Sequence, residues 1–387
     1  MGDTGWLELR KFVSPEIVMG SGALSLAGQY AKNLGAEKVL VVTDEGIIRK
    51  GWTGRVIENI GDKGLAYAVY SALSPNPRAE EVMEGKAFYA AEGCDIIVAV
   101  GGGSPIDCAK GIGIVSRNGR NILDYAGVDR IPLPGPPLIC VPTTGSAADV
   151  SQFCIITDTR ERQKMSIVSK TLVPDASLID PATNVTLSSN QTAYTRLDSF
   201  TQAVEAYVSN ASSPVTDLLA LRALKLIFHH LGAEIREPGN LGHRNSMSIG
   251  SLEAGLAFTN ASLGLVHAMA HSLGGLTGAA HGLCCAVLLP HVVLFNYDSV
   301  PERYHRIAEI IGVDLGGMGQ DQKKAAIAGA LLEFANRAEA TKTLAQLGVK
   351  KEDIPKLAAN TMRDVCLVTN PRPAKPEDIA AIFEEAL

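Results

Sequence analysis

The stretch DIIVAVGGGSPIDCAK, residues 95–110, joins an apolar β-branched run, three glycines with a serine, and a helix start. The run predicts a buried strand, and Pro105 is typical of the first turn of a helix. Glycine lets the backbone approach an anion closely, and the free N–H groups of the following helix favour phosphate. The GGGS segment, residues 101–104, is therefore a candidate pyrophosphate site, although a tight strand-to-helix turn explains it equally well.

Strand-like and helix-like segments alternate through the rest of the first half. Strands are predicted at residues 38–44, 65–73, 95–104 and 137–144, and helices at 51–64 and 105–116, with a loop that leads into a helix at 74–93. This alternation indicates a parallel sheet with helices on both faces. From about residue 187 the apolar spacing is helical. The sequence thus predicts an α/β dinucleotide-binding domain over residues 1–184 and an all-helical domain over 185–387, with the boundary inside the Pro-, Asn- and Ser-rich segment 173–190.

The overall composition narrows the class of protein. A net charge of −6 over 387 residues does not favour binding to nucleic acid or to an anionic membrane, because both carry negative charge. No run approaches the roughly 20 apolar residues needed to cross a bilayer, and the N-terminus lacks the pattern of a signal peptide. The seven cysteines include no CxxC pair, which indicates a reduced, cytoplasmic compartment with the cysteines as small apolar fillers. We therefore expect a small-molecule partner.

Two polar motifs follow other predicted strands. Asp44 ends the strand in VVTDEG, where a carboxylate accepts from the ribose hydroxyls of adenosine and repels a 2′-phosphate. This position favours NAD over NADP, but a helix N-cap explains it about as well. The segment VPTTGS, residues 141–146, ends a strand in hydroxyls and a glycine, which suits contacts to nicotinamide or phosphate.

Histidines are concentrated in GLVHAMAHSLGGLTGAAHGLCCAVLLPH, residues 264–291, which holds four of the eight in the chain. His267 and His271 are four residues apart, so a helix places them on one face. The glycines that follow allow a turn that returns His281 toward this pair. Neutral imidazole is a common ligand of Zn²⁺ and Fe²⁺, so the spacing favours a metal or catalytic cluster over ordinary core histidines.

A carboxylate in another apolar helix is a candidate for the same site. Asp198 and Gln202 are four residues apart in TRLDSFTQAVEAY. An acid on an apolar helical face is costly unless it is paired or ligates a metal. The alternative for Asp198 is a buried ion pair with a neighbouring base such as Arg196.

These motifs together resemble the iron-containing (group III) alcohol dehydrogenases, a family related to glycerol dehydrogenase and dehydroquinate synthase. The resemblance runs along nearly the whole chain. The motifs stand in order as VVTDEG, NP, AVGGGSPIDCAKGI, VPTT, FCIITD, KMSI, DP, EAYVS, GLAFTNASLGLVHAMAHSLGG, HGLCCAVLLPHV and NPRP. The resemblance implies a dehydroquinate synthase-like fold, with NAD(P) and a divalent metal in the cleft between the two domains.

The resemblance also implies roles for individual residues. The metal set is Asp198, His267 and His281, with Gln202 at the remaining ligand position. The cofactor set is Asp44, Gly101, Gly102, Gly103, Ser104, Asp107, Thr143, Thr144, Ser146 and Lys164. His271 lies beside the nicotinamide as a candidate proton relay and catalytic residue. The substrate pocket is formed by Phe153, Phe258 and Cys366.

Two departures from the family pattern stand out. The family has histidine at the position of Gln202, and an amide carbonyl binds transition metals more weakly than imidazole. The family loop Pro-Thr-Thr-Ala-Gly-Thr-Gly-Ser-Glu-Val is one residue longer than the segment that contains Thr143 to Ser146.

The expected function is metal-dependent, NAD-linked interconversion of a short-chain primary alcohol and its aldehyde. Fe²⁺ is the expected metal, with Zn²⁺ as the alternative, in a homodimer or larger homo-oligomer. One rival is a dehydroquinate synthase-like lyase, which needs several bases near the metal, but residues 250–291 contain no Lys or Arg. The other alternative is a catalytically weak sensor protein on the same fold. Gln202, at a position where the family has histidine, supports this alternative.

Overall fold

The computed structural model describes residues 10–340 and 342–387, and a parallel sheet forms the centre of its first half. The six described strands of this sheet run in the order β1 (Glu16–Met19), β9 (Ala176–Ile179), β6 (Leu138–Pro142), β4 (Ile96–Gly101), β2 (Lys38–Val42) and β3 (Ala66–Tyr70). Every pairing in it is parallel. The predicted parallel sheet is therefore confirmed.

Alternate residues of the central strands enter two separate cores. In β2, Leu40 and Val42 pack into one apolar cluster, whereas Val39 and Val41 pack into another on the opposite face. Both faces are covered by helices, which is why these strands are continuous apolar runs. The helices of this half are α1 (Ala27–Asn33), α2 (Glu45–Arg49), α3 (Trp52–Asp62), α4 (Ala79–Ala91) and α5 (Gly103–Asn118).

A second, smaller sheet was not predicted. Its strands run in the order β5 (Gly127–Val128), β8 (Gln163–Val168) and β7 (Phe153–Asp158), and β7 pairs antiparallel with β8. Strands β1 and β9 were also missed, because each is only four residues long. Strand β9 lies inside the segment 173–190 that was interpreted as a linker.

Helices make up the second half, as predicted, and the described residues after Ile179 contain no strand. These helices are α6 (Ser189–Val208), α7 (Pro214–Arg236), α8 (Leu241–Ala261), α9 (Leu265–Thr277), α10 (His281–Asn296), α11 (Pro301–Ile310), α12 (Gln320–Arg337), α13 (Ile354–Thr361) and α14 (Pro376–Glu385). The division into residues 1–184 and 185–387 stays a prediction; the last strand ends at Ile179 and α6 begins at Ser189.

A buried ion network joins the first three of these helices. Glu234 of α7 lies 2.9 Å from Arg196 of α6 and 2.9 Å from Arg244 of α8, and all three side chains have no exposed surface. Arg196 also donates to the hydroxyl of Ser251 at 2.8 Å. Because Arg196 is occupied in this way, the alternative that it is the partner of Asp198 is wrong.

One apolar segment is longer than the sequence suggested. Residues His281–Ser299 are long and apolar enough to cross a membrane, and 72% of the tested window is buried inside the fold. Such burial is typical of a core helix. A core helix is apolar on every face because every face is covered by other parts of the protein. Helix α10 accordingly packs against α6, α9 and α12.

Candidate functional site

A cleft of about 680 Å³ lies between the sheet and the helical half. Strands β2, β4 and β6 are neighbours in the parallel sheet, so their carboxyl ends meet at one edge, and the loops after them form one wall of the cleft. Helices α6, α9 and α10 form the opposite wall. The volume is typical of a small-molecule or cofactor site.

The glycine loop follows β4 and starts helix α5 at Gly103. Gly101 has a φ of +150°, and a Cβ there would lie 2.6 Å from the ring of Pro105, so only glycine fits the turn. Gly102, Gly103 and Ser104 line the cleft, whereas Gly101 does not. The predicted loop is thus open to a ligand at three of its four residues.

The loop after β6 faces these glycines. A Cβ at Gly102 would lie 3.1 Å from the side chain of Thr144, and one at Gly103 would lie 3.5 Å from the hydroxyl of Ser146. The hydroxyl oxygens of Thr144 and Ser146 are buried without a hydrogen-bond partner among the described residues, and both residues line the cleft. Buried polar atoms are rarely left unpaired, so these hydroxyls suit a ligand. Thr143 is buried but does not line the cleft.

Asp44 lines the far end of the cleft and also caps helix α2. Its Oδ1 accepts from the backbone N–H of Ile47 at 2.9 Å. The N-cap interpretation is therefore correct, and it leaves the carboxylate on the cleft wall.

Asp107 and Lys164 are charged residues that line the cleft. Burial raises the pKa of Asp107 to about 7, against the opposing influence of Lys110 and Lys164. Burial also lowers the pKa of Lys164, which Cys284, Cys285 and Asp198 partly offset. The end of the Lys164 side chain lies against α9 at Gly274, where a Cβ would contact its Cε and Nζ atoms. Both groups are thus poised nearer neutrality than usual, a feature common in functional sites.

Asp198, His267 and His281 come together at the helical wall, from α6, α9 and α10. The Nε2 atoms of His267 and His281 lie 3.3 and 3.7 Å from Oδ1 of Asp198. Together with Cys285, these side chains offer four ligand atoms that lie within 4.8 Å of one another. The spacing of the histidines predicted a cluster at His267 and His281, and the family resemblance implied that Asp198 joins it.

The local backbone explains this convergence. His267 lies one turn before His271 on α9, and α10 begins at His281 after the glycine-rich turn. A Cβ at Gly282 would lie 1.9 Å from the carbonyl oxygen of Tyr194. Only glycine allows α10 to approach α6 this closely, and that approach brings His281 to Asp198.

The donor set fits a divalent cation. Nε2 of His267 is buried with no hydrogen-bond partner among the described residues, and so is Oε1 of Gln202. Burial lowers the pKa of His267, but Glu205 and Asp198 outweigh burial and raise it to about 10. The same carboxylates that raise this pKa attract a cation to the imidazole, and imidazole, carboxylate and thiol are ligands of Zn²⁺ and Fe²⁺.

Known proteins match this chain over most of its length. Residues 14–181 match the model described as iron-containing alcohol dehydrogenase, and residues 192–387 match the C-terminal model of the same family. The 1,3-propanediol dehydrogenase of Klebsiella pneumoniae is 40% identical over 371 residues, covering 95% of this chain and 96% of that protein. The chain belongs to the iron-containing alcohol dehydrogenase family.

Other members of the iron-containing alcohol dehydrogenase family are similarly close. An NAD-dependent methanol dehydrogenase of Bacillus methanolicus is 36% identical over 377 residues, covering 97% of this chain and 99% of that protein. A crystal structure of a 1,3-propanediol oxidoreductase superposes with a TM-score of 0.93 at 37% identity, covering 98% of this chain and 100% of that one. These relatives do not favour the lyase or the sensor alternative.

Relative to the family pattern, Gln202 is the marked departure at the cluster. Its amide Nε2 donates to Oδ2 of Asp198 at 3.1 Å. The opposite amide orientation would place an oxygen against the carboxylate, so the contact fixes which end faces Asp198. Gln202 lines the cleft and holds Asp198 in place.

Two carboxylates that support the histidines were not predicted. Oε2 of Glu205 lies 2.5 Å from Nδ1 of His267, and Oδ2 of Asp364 lies 2.8 Å from Nδ1 of His271. Burial alone would raise the pKa of Asp364, but His271 and the backbone N–H of Cys366 outweigh it and lower that pKa. Each carboxylate fixes the orientation of one imidazole.

Two of the three residues predicted to form the substrate pocket line the cleft. Phe153 and Phe258 both line the cleft and contact each other edge to face, with ring centroids 5.5 Å apart. Cys366 does not line the cleft; it is fully buried beside Asp364, which accepts from its backbone N–H at 2.9 Å. Leu263, which the sequence interpretation left out, completes the apolar lining.

Proposed function

We propose that this protein is an NAD-linked, metal-dependent oxidoreductase that interconverts a short-chain primary alcohol and its aldehyde. The observation that carries the proposal is one continuous cleft, with a glycine loop and unpaired hydroxyls on one wall and the Asp198, His267 and His281 cluster on the other. Relatives named dehydrogenases of 1,3-propanediol and methanol support the substrate class.

Each wall of the cleft binds one cofactor, and the loops after the strands bind NAD. The phosphates of NAD are bound by the glycine loop and the facing hydroxyls, that is by Gly102, Gly103, Ser104, Thr144 and Ser146. NAD itself supplies the hydride acceptor. Asp44 caps α2 at the cleft wall, where its charge favours the ribose hydroxyls of NAD over a 2′-phosphate.

The helical wall binds the divalent cation. Asp198, His267 and His281 would hold it, and when bound it would supply a Lewis acid for the alcohol oxygen. Glu205 keeps the Nδ1 proton of His267, so that Nε2 presents its lone pair to the cation.

The remaining residues handle the proton and the carbon chain. Asp364 accepts from Nδ1 of His271, which leaves Nε2 of His271 as the acceptor for the alcohol proton. Phe153, Phe258 and Leu263 form an apolar surface that excludes water and fits a short alkyl chain.

We further propose a homodimer or larger homo-oligomer located in the cytoplasm. No nucleic acid or membrane partner is expected from a net charge of −6.

An NADH absorbance assay tests the proposal. Purified protein with NAD, Zn²⁺ or Fe²⁺ and a panel of short alcohols should produce NADH, and His267→Ala with His281→Ala should lower the rate by orders of magnitude. The matched control is His230→Ala with His243→Ala, a neighbouring imidazole pair with ring centroids 6.0 Å apart outside the cleft. Full activity in the first double variant would refute the proposal.

A further inference from the structure

Cys285 is a fourth side chain of the metal cluster, and neither the sequence motifs nor the proposed function uses it. It lies on α10, one helical turn after His281, and is fully buried. Its Sγ lies 3.7 Å from Oδ1 of Asp198 and 3.7 Å from Nε2 of His281. All seven cysteines were interpreted as apolar fillers, but Cys285 alone is grouped with Asp198 and the two histidines among the described residues.

The spacing of these atoms matches one coordination sphere. Tetrahedral bonds of about 2.0–2.3 Å to nitrogen, oxygen and sulfur place neighbouring ligand atoms about 3.3–3.8 Å apart. The contacts of Asp198 Oδ1 with His267, His281 and Cys285 measure 3.3, 3.7 and 3.7 Å. All four ligand atoms lie within 4.8 Å of one another, so one cation can contact the four side chains after side-chain movements that shorten the longer separations.

Gln202 is the competing fourth ligand. Its Nε2 donates to Asp198, so only its Oε1, which is buried without a hydrogen-bond partner among the described residues, could bind a cation. The amide is also neutral. Asp198 and a thiolate at Cys285 would instead balance the two positive charges of the ion, in a buried place where unbalanced charge is costly.

Resting on the proposed function, we infer that Cys285 ligates the cation as a thiolate, together with Asp198, His267 and His281. When the Sγ–metal bond forms, the S–H bond breaks and the proton leaves to the buffer. Thiolate is a soft ligand, and Zn²⁺ lies above Fe²⁺ in affinity for sites of this kind. The ligand class is therefore a borderline-soft divalent cation, with Zn²⁺ preferred over Fe²⁺.

Cobalt substitution tests the assignment without relying on turnover. Full-length protein is stripped with a chelator and loaded with Co²⁺, and the near-ultraviolet thiolate-to-cobalt charge-transfer band is recorded. Wild type and Cys284→Ser should show the band, because Cys284 is an equally buried neighbour outside the cluster. Cys285→Ser should lose the band and bind Zn²⁺ at least about 10-fold more weakly. Cys285→Ser with an unchanged band and affinity would overturn the inference.

A second measurement needs no variant, in case Cys285→Ser does not fold. X-ray absorption at the zinc edge of the loaded wild-type protein should show one sulfur neighbour at about 2.3 Å. A shell of nitrogen and oxygen alone would overturn the inference while leaving the proposed function intact. A sulfur neighbour in a protein that reduces no NAD with any alcohol would support the inference and refute the proposed function.

Discussion

Glu205 and His267 are joined by a short contact of 2.5 Å between Oε2 and Nδ1, in a part of the fold where both side chains are buried. The other carboxylate oxygen of Glu205 accepts from the backbone N–H of Val266 at 2.7 Å. Two contacts thus fix the carboxylate, and the carboxylate fixes the imidazole. Glu205, which does not line the cleft, therefore stabilises the metal cluster through its contact with His267.

Glu205→Gln is expected to weaken metal binding by about 10- to 100-fold, because a neutral amide orients and polarises His267 less well. Competition with a chromophoric chelator measures the affinity. Glu253→Gln is the matched control, since Glu253 is also a buried carboxylate but pairs with Arg222 on α7. Equal metal affinity in wild type and Glu205→Gln would show that the contact does not tune the ligand.

Gly282→Ala is expected to destabilise the fold by about 1–3 kcal/mol and to lower metal affinity, because the added Cβ meets the carbonyl oxygen of Tyr194. That oxygen belongs to the backbone and cannot rotate away, so α10 has to move from α6. The control is Gly329→Ala in α12, where an added Cβ has open space. Urea unfolding and a metal titration measure both effects, and a neutral Gly282→Ala would contradict the close approach.

Glu234→Ala is expected to cost about 3–5 kcal/mol, because it leaves Arg196 and Arg244 buried without their shared carboxylate. Chemical unfolding gives the free energy. Glu309→Ala removes an exposed partner of Arg306 and should change stability by less than about 0.5 kcal/mol. If the two variants were equally stable, the network would not hold α6, α7 and α8 together.

Asp364→Asn is expected to lose about 1–3 kcal/mol of stability at pH 7. Because the folded-state pKa of Asp364 is lowered, its contribution is present above the unfolded pKa of about 3.9 and is lost as pH falls through the folded value. The gap between wild type and variant should therefore narrow below about pH 4. Urea midpoints at several pH values measure it, with the exposed Asp298→Asn as control; a gap independent of pH would contradict the ionised pairing.

The central strands were predictable because β2, β4 and β6 are buried on both faces and are therefore continuous apolar runs. Strand β9 was not, because its four residues, Ala-Ser-Leu-Ile, are too few to show a period and are flanked by Pro, Asp and Asn, which are typical of turns. The hairpin of β7 and β8 mixes buried and half-buried positions without a regular period, so its sequence favours neither strand nor loop.

The candidate site likewise contains residues that local sequence predicts and residues that it does not. His267 and His271 share one helix face by spacing alone, whereas Glu205 and Asp364 reach them from 62 and 93 residues away. No local pattern predicts contacts at such separation. Cys285 was overlooked because a buried cysteine is usually a filler. The pocket role of Cys366 came only from the family resemblance and stays a prediction, since Cys366 is buried and does not line the cleft.

An anomalous difference map from a crystal grown with Zn²⁺ and NAD is the most direct measurement of the central claim. The account predicts one strong zinc peak about 2.0–2.3 Å from Asp198, His267 and His281, with the dinucleotide phosphates against Gly102 and Gly103. A peak at another set of side chains, or a dinucleotide bound outside this cleft, would contradict it.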